Sequence, residues 1–351
     1  MRIAVKRDAT TVSEEGHVTG KDAGSTLVRR LLRIFPGSVV LGEQARQCEG
    51  FDVVPLDFVD PEEFLVVNMD VTDSPTVWNH LHQETGVEHP RIMNLLWWPT
   101  TPLVQREQVA TIALSCALFP TFAVSRRSAQ EVRDLVERWT VADVASGLQL
   151  GWVNPGFRLE HVQRHCEPSV PVVLYPSIYL SARKRPQDFV EVIDQVHDEV
   201  DFSVDMRLHE THLDSDVARS IATRDWVNLA PLLTGRPDYW AALSHARAFV
   251  ATSVDESYGL GCVEAMGAGA IGIFPDREWA RALLPEAYPF VYRDTTQAAT
   301  MLHRVLTDPE GCRQAVDASV GGDFVAWVNA GHSDQAFERA LTGAVHDWFG
   351  H

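Results

Sequence analysis

The chain has 351 residues, of which 45% are apolar and 22% charged, enough for one large or two ordinary domains with cores of their own. Its 30 Lys+Arg against 48 Asp+Glu leave a net charge of −18, which speaks against constitutive coating of nucleic acid and against a polybasic membrane anchor. Five scattered cysteines, Cys48, Cys116, Cys166, Cys262 and Cys312, show no C-x-x-C spacing and read as reduced thiols, not as a disulfide framework or a zinc site.

The charge is uneven. Residues 1–165 carry 16 basic and 21 acidic side chains, a net of −5, and the rest of the chain carries −13. Lysine occurs only at Lys6, Lys21 and Lys184. The N-terminus runs straight into a short β-rich segment without an apolar h-region, so a cytoplasmic protein is expected. The most apolar window, 109–124, is broken by Thr111, Ser115, Pro120 and Thr121 and predicts a buried helix and strand, with no membrane span.

In chain order, β-rich runs alternate with helical stretches, the pattern of an α/β fold with parallel sheets. Strands are expected at 3–6, 39–41, 53–56, 64–69, 92–97 and 122–125. Helices are expected between several of them, at 25–34, 75–82, 106–117 and 128–139, the last with Ser128 as N-cap and Glu131 completing a capping box. The turn-rich stretch Gly151-Trp-Val-Asn-Pro-Gly-Phe-Arg158 predicts a domain boundary near 158–170. A second series follows, with strands at 172–175, 202–206, 227–230, 248–252 and 270–274 and helices at 186–199, 216–223, 239–245, 262–267 and 296–307. Ser333 is placed to cap a last helix, whose Phe337, Leu341, Val345 and Trp348 recur at helical spacing.

The segment from Ala248 to Phe274 carries the strongest chemical signal. It reads strand, polar loop, short helix, strand, with Glu256 in the loop, Glu264 in the helix, and Gly259 and Gly261 where one passes into the other. Helix-start N–H groups suit a diphosphate, and glycines let it approach. A carboxylate one turn into the helix can accept from a ribose diol, and a loop carboxylate before the glycines can bind sugar hydroxyls.

The string Glu256-Ser-Tyr-Gly-Leu-Gly-Cys-Val-Glu-Ala-Met-Gly-Ala-Gly269 resembles the E-x7-E region of retaining glycosyltransferases of the GT-B fold, family 4 type, with Tyr258 for the usual Phe and Gly267 for Ala. Weaker likeness covers 122–132, the interdomain-type loop 152–158, the strand at 226–232 with Tyr239-Trp-Ala-Ala-Leu, and the last helix. The resemblance implies two Rossmann-like domains facing a cleft, an acceptor domain at 1–165 and a donor domain at 166–330, with a terminal helix at 331–351 returning to the first. It implies a nucleotide-diphosphate sugar as co-substrate, no metal and no other cofactor. Glu256, Lys184, Arg185 and His17 are then expected to act on the reacting groups. Glu264, Ser257, Tyr258, Gly259, Leu260, Gly261 and Arg183 are expected to hold the nucleotide.

One departure stands out. The family's G-R-x(4)-K-G-x-D run is replaced by Tyr175-Pro-Ser-Ile-Tyr-Leu-Ser-Ala-Arg-Lys-Arg-Pro-Gln-Asp188, which puts Arg185 at the Lys position and Leu180 at the Arg position. The Arg183-Lys184-Arg185 cluster is expected to supply the phosphate-binding charge, against the plainer reading of a solvated turn at a helix start. The glycine-rich run 16–26 lacks P-loop spacing. Its His17, Lys21 and Asp22 are either acceptor-side residues or parts of a flexible loop. Trp97-Trp98-Pro99 is either an apolar acceptor wall or core, and His80 and His82 read as structural.

Asp214-Ser-Asp216 reads as a helix cap, not as a metal-binding D-x-D. A Rossmann dehydrogenase would need G-x-G-x-x-G after an early strand, which is lacking. A non-catalytic nucleotide-sugar binder and a GT-B sugar-nucleotide epimerase remain as alternatives. The acceptor is expected to be a small molecule, a glycan or a lipid-linked hydroxyl, with nucleic acid disfavoured. Donor sugar, base and oligomeric state are not encoded in any pattern found.

Overall fold

In a computed structural model the chain forms two compact units, Met1–Asn154 with Phe337–His351, and Pro155–Ala336. The described residues are 1–20, 22–98, 100, 105–233, 235–256 and 258–350. Lys21, Pro99 and Ser257, all singled out in the sequence, lie outside them.

The first unit holds an eight-stranded sheet of order β3-β4-β2-β1-β5-β6-β7-β8. Its strands are β1 (Arg2–Lys6), β2 (Val39–Leu41), β3 (Arg46–Gln47), β4 (Asp52–Val54), β5 (Phe64–Asn68), β6 (Ile92–Leu96), β7 (Thr121–Ala123) and β8 (Leu150–Trp152). All neighbours are parallel except β3 and β4. Strands β5 and β6 are buried along their whole length, which is why they read as continuous apolar runs instead of alternating ones. The last helix, Asp334–Phe349, places Phe337, Leu341 and Val345 in this unit's core, with Phe337 also under the Arg30 guanidinium and Trp348 edge-on to Phe122. Ser333 caps it by accepting from the Ala336 N–H at 3.2 Å.

The second unit holds a six-stranded, wholly parallel sheet of order β11-β10-β9-β12-β13-β14. Its strands are β9 (Val172–Leu174), β10 (Ser203–Leu208), β11 (Val227–Pro231), β12 (Ala246–Val250), β13 (Ile271–Pro275) and β14 (Val291–Tyr292). The helix Pro186–His197 shows how the layer is closed. Its Phe189, Val192, Ile193 and Val196 recur on one face and are all buried.

Three details differ from expectation. The division between the units falls at Asn154/Pro155, not at 165. The reason is Phe157, which packs against Trp240 in the second core (ring centroids 5.2 Å) and pairs its backbone with His332 and Asp334. The return to the first unit comes after Ala336, because the helix Phe324–His332 buries Phe324 and Val328 in the second core. The N-cap expected at Ser128 is Ser125, whose extended backbone lets its hydroxyl accept the Ser128 N–H, while Ser128 itself is buried in the first turn. The cap at 214–216 is Ser215, accepting from the Ala218 N–H.

Candidate functional site

The second sheet grows outward from β9 to β10 and β11, then returns to the other side of β9 with β12. In open α/β sheets ligands bind outside the carboxyl ends of the strands at such a reversal. A cavity of about 370 Å³ lies there, lined by Tyr175 and Pro176 after β9, Asp205 and Arg207 on β10, Leu232, Leu233 and Arg236 after β11, and Leu260, Gly261 and Glu264 of the next helix. Its volume falls in the range of small-ligand pockets, and its mixture of apolar wall and few polar groups is typical of them.

Helix Leu260–Gly267 begins with Gly259 as N-cap at φ 76°, a left-handed conformation that L side chains rarely adopt. A Cβ on Gly261 would stand 2.8 Å from the Pro176 carbonyl oxygen. Both glycines are therefore required for the helix start to lie against the loop after β9. One turn on, Glu264 is 6% exposed. The Tyr239 hydroxyl donates to its Oε2 at 2.6 Å, and the Arg236 guanidinium stands 3.7 Å from its Oε1. Burial raises the Glu264 carboxyl above its usual range and, with the neighbouring carboxylate, raises the Tyr239 phenol well above its own. The phenol is thus a fixed donor, and among the described residues the group recorded near Oε1 is the distant guanidinium.

The loops after β9 and β12 are laced together. The Thr252 hydroxyl donates to the Lys184 carbonyl at 2.7 Å, and the Val254 N–H donates to the Arg183 carbonyl at 2.8 Å. Lys184 forms an ion pair with Glu256, and Arg183 with Asp255 at 2.9 Å. Tyr258 is anchored from the other side. Its hydroxyl meets Nδ1 of buried His332 at 2.7 Å. Burial lowers the His332 pKa to about 4, so the ring is neutral near pH 7 and Nδ1 can accept.

No family profile and no curated protein sequence matches the chain. Solved structures do match, along nearly its full length. Sucrose-phosphate synthase from Thermosynechococcus elongatus aligns with a TM-score of 0.67 and 14% identity, covering 99% of each chain. HepE of Anabaena, solved with UDP and glucose, aligns at 0.67 and 12%, covering 99% of this chain and 100% of its own. A glycosyltransferase from Rickettsia africae aligns at 0.70 and 11%, covering 99% and 98%. The chain has the GT-B fold. At these identities the likeness is one of fold.

Within this GT-B chain the expected residues of the second unit fall into three groups. Glu264, Leu260 and Gly261 line the cavity, with Gly259 and Tyr258 in the segment leading into their helix. Glu256, Lys184 and Arg183 form the laced loop pair beside them. Arg185 is set apart. It adopts φ 46°, pairs with Asp188 at 2.9 Å, and lines a separate polar cavity of about 480 Å³ at the ends of β12, β13 and β14, together with Arg277 and Arg293. Leu180, which the sequence resemblance aligned with an Arg, is buried core. In the first unit His17 is exposed, with Glu49 3.6 Å away. Asp22 caps helix Ala23–Ile34 and pairs with buried Arg7 at 2.8 Å, so it serves the local fold. His80 pairs with Asp57, His82 stacks on Trp78, and Arg7 lies over the Trp97 ring.

Among the lining residues, Arg236, Asp205 and Arg207 were given no role by the sequence, and Tyr239 entered only as part of the Tyr239-Trp-Ala-Ala-Leu likeness. His332 was given none either. Only Tyr258 signalled it, since a tyrosine at a position usually filled by Phe needs a buried partner for its hydroxyl.

Proposed function

We propose that the chain is a retaining glycosyltransferase that moves a sugar from a nucleotide-diphosphate sugar to a hydroxyl acceptor, without a metal. The observation that carries this reading is Glu264. It is a buried carboxylate on the first turns of a glycine-started helix, held by a neutral phenol, and it opens on a nucleoside-sized cavity at the sheet's reversal point. Its Oε1 accepts from the ribose diol. The start of helix Leu260–Gly267 and the Arg183 and Lys184 side chains stabilise the leaving diphosphate, where charge develops as the bond to the sugar breaks. Glu256 binds hydroxyls of the transferred sugar and, through its ion pair, holds Lys184 in place. Arg185 pairs with Asp188 and lines a separate cavity, so the diphosphate charge is assigned to Arg183 and Lys184.

The acceptor hydroxyl attacks from the face the diphosphate leaves, and a departing phosphate oxygen takes its proton. No protein nucleophile is invoked, and the anomeric configuration is kept. Family 4 character and the retaining outcome rest on the E-x7-E likeness. The solved structures add that GT-B proteins such as HepE have been seen with UDP and glucose. The acceptor is assigned to the first unit, with His17 near it, as a small molecule, a glycan or a lipid-linked hydroxyl. No helix among the described residues is long and apolar enough to cross a membrane.

A thermal-shift screen of the whole chain against nucleoside diphosphates and their sugars tests the reading, because a ligand of the folded state raises its melting temperature by mass action. At least one nucleoside diphosphate should stabilise the wild type. Glu264→Ala should weaken that ligand about tenfold or more, the loss of a charge-assisted hydrogen-bond pair. Equal affinity in the variant would remove Glu264 from the site. Transfer should also persist in EDTA, and dependence on a divalent cation would contradict the metal-free step.

A further inference from the structure

We propose that the base of the donor nucleotide is guanine, read by Asp205 and Arg207. This rests on the reading of the 370 Å³ cavity as the nucleotide site. The two residues alternate on β10, so their side chains share one face of the sheet. Both line the cavity that Glu264 also lines. Asp205 is 12% exposed and Arg207 28%.

Arg207 offers its Nε to Asp205 at 3.0 Å. Asn228, directly opposite on β11, donates to the Asp205 Oδ1 at 2.8 Å. The carboxylate is thereby held in position from two sides and keeps lone pairs to spare. The two terminal amino groups of Arg207 have no partner among the described residues. A half-buried guanidinium with unused N–H groups beside an oriented carboxylate is complementary to a planar edge that carries an acceptor next to donors.

The common bases differ on that point. Guanine presents O6 as acceptor, then N1–H and the N2 amino group as adjacent donors, so O6 meets the guanidinium while two N–H groups meet the carboxylate. Uracil and thymine present one N–H between two carbonyl oxygens, and a carbonyl would face the carboxylate. Adenine places a ring lone pair against the carboxylate. Cytosine supplies a single amino group and lacks the second donor. Arginine with guanine and a carboxylate with an exocyclic amine are both recurrent pairings elsewhere in base recognition. HepE was solved with UDP, so this chain is expected to depart from that relative in its donor.

The test is titration calorimetry of the full chain with GDP, UDP, ADP and CDP. GDP should bind at least about tenfold more tightly than each of the others. Asp205→Asn should lower the GDP-over-UDP preference about tenfold while UDP affinity stays within about threefold. Arg207→Gln should do the same and serves if Asp205→Asn does not fold, melting curves establishing which variants are intact. UDP, ADP or CDP binding as tightly as GDP overturns the base assignment and leaves the donor site standing. So does an unchanged preference in both folded variants. If no nucleoside diphosphate binds, the donor site itself fails and the base assignment with it.

Discussion

Glu256 and Glu264 stand eight positions apart in the sequence and meet unlike surroundings. Glu264 is buried against a phenol that donates to its Oε2, which leaves Oε1 for the proposed ribose diol. Glu256 is held by an ammonium on a neighbouring loop. Its replacement should therefore act on chemistry more than on nucleotide binding. Glu256→Gln is expected to leave nucleoside diphosphate affinity within about threefold and to cut kcat by about a hundredfold or more, as for loss of a group that orients the reacting centre. Titration calorimetry and steady-state rates separate the two effects. His332 carries a pH signature. Its folded pKa, about 4, lies below the ordinary 6.5. The unfolded chain thus binds the extra proton between those values. Stability is fully present above pH 6.5 and falls as pH drops towards 4, by about 3 kcal/mol at most. Denaturant titrations between pH 7 and 4 should show this loss, and His332→Gln should flatten it. Tyr258→Phe should cost about 1 kcal/mol from the lost buried hydrogen bond.

Among the elements, those with long apolar runs were legible. Strands β5, β6 and β13 are buried throughout, and runs of that kind announce a parallel sheet in any α/β chain. The loop-to-helix step at Gly259 was legible too, because glycines and two carboxylates at fixed offsets have few other uses. Short edge strands were not. Strands β3, β8 and β14 are two or three residues long and owe their existence to a neighbour, not to their own pattern. The helices Pro309–Ala318 and Phe324–His332 were missed for a related reason, since their stability comes from packing on the second core. The walls of the cavity were illegible as a site. Asp205 and Arg207 look like the polar face of an alternating strand until β10 is seen to end beside Glu264. At this scale the sharpest prediction concerns Gly261. A methyl there meets a backbone oxygen at 2.8 Å, so Gly261→Ala must displace the helix start or the loop after β9. Nucleotide affinity should fall about tenfold or more with the far-ultraviolet circular dichroism spectrum unchanged. Unchanged affinity would detach this helix start from the ligand.

At the scale of the whole molecule, the net charge of −18 is a poor guide to the site. The more acidic part of the chain carries the cavity, where Arg207 and Arg236 stand beside Asp205 and Glu264, so the local field is set by a few side chains and a helix start. The last helix joins the two units in sequence terms. It leaves the second after Ala336 and buries Phe337 in the core of the first. Phe337→Ala should destabilise the first unit by about 3–5 kcal/mol. Calorimetric scans should then show its transition lowered while that of the second unit stays in place. The central claim is a transfer that keeps anomeric configuration at the cavity beside Glu256 and Glu264. Proton NMR of the wild-type chain with its preferred nucleotide sugar tests it most directly, read at the anomeric signal of the first product formed. The product should carry the donor's configuration, and the nucleoside diphosphate should be released. A product with the opposite configuration, or no consumption of any nucleotide sugar that binds, would contradict that claim.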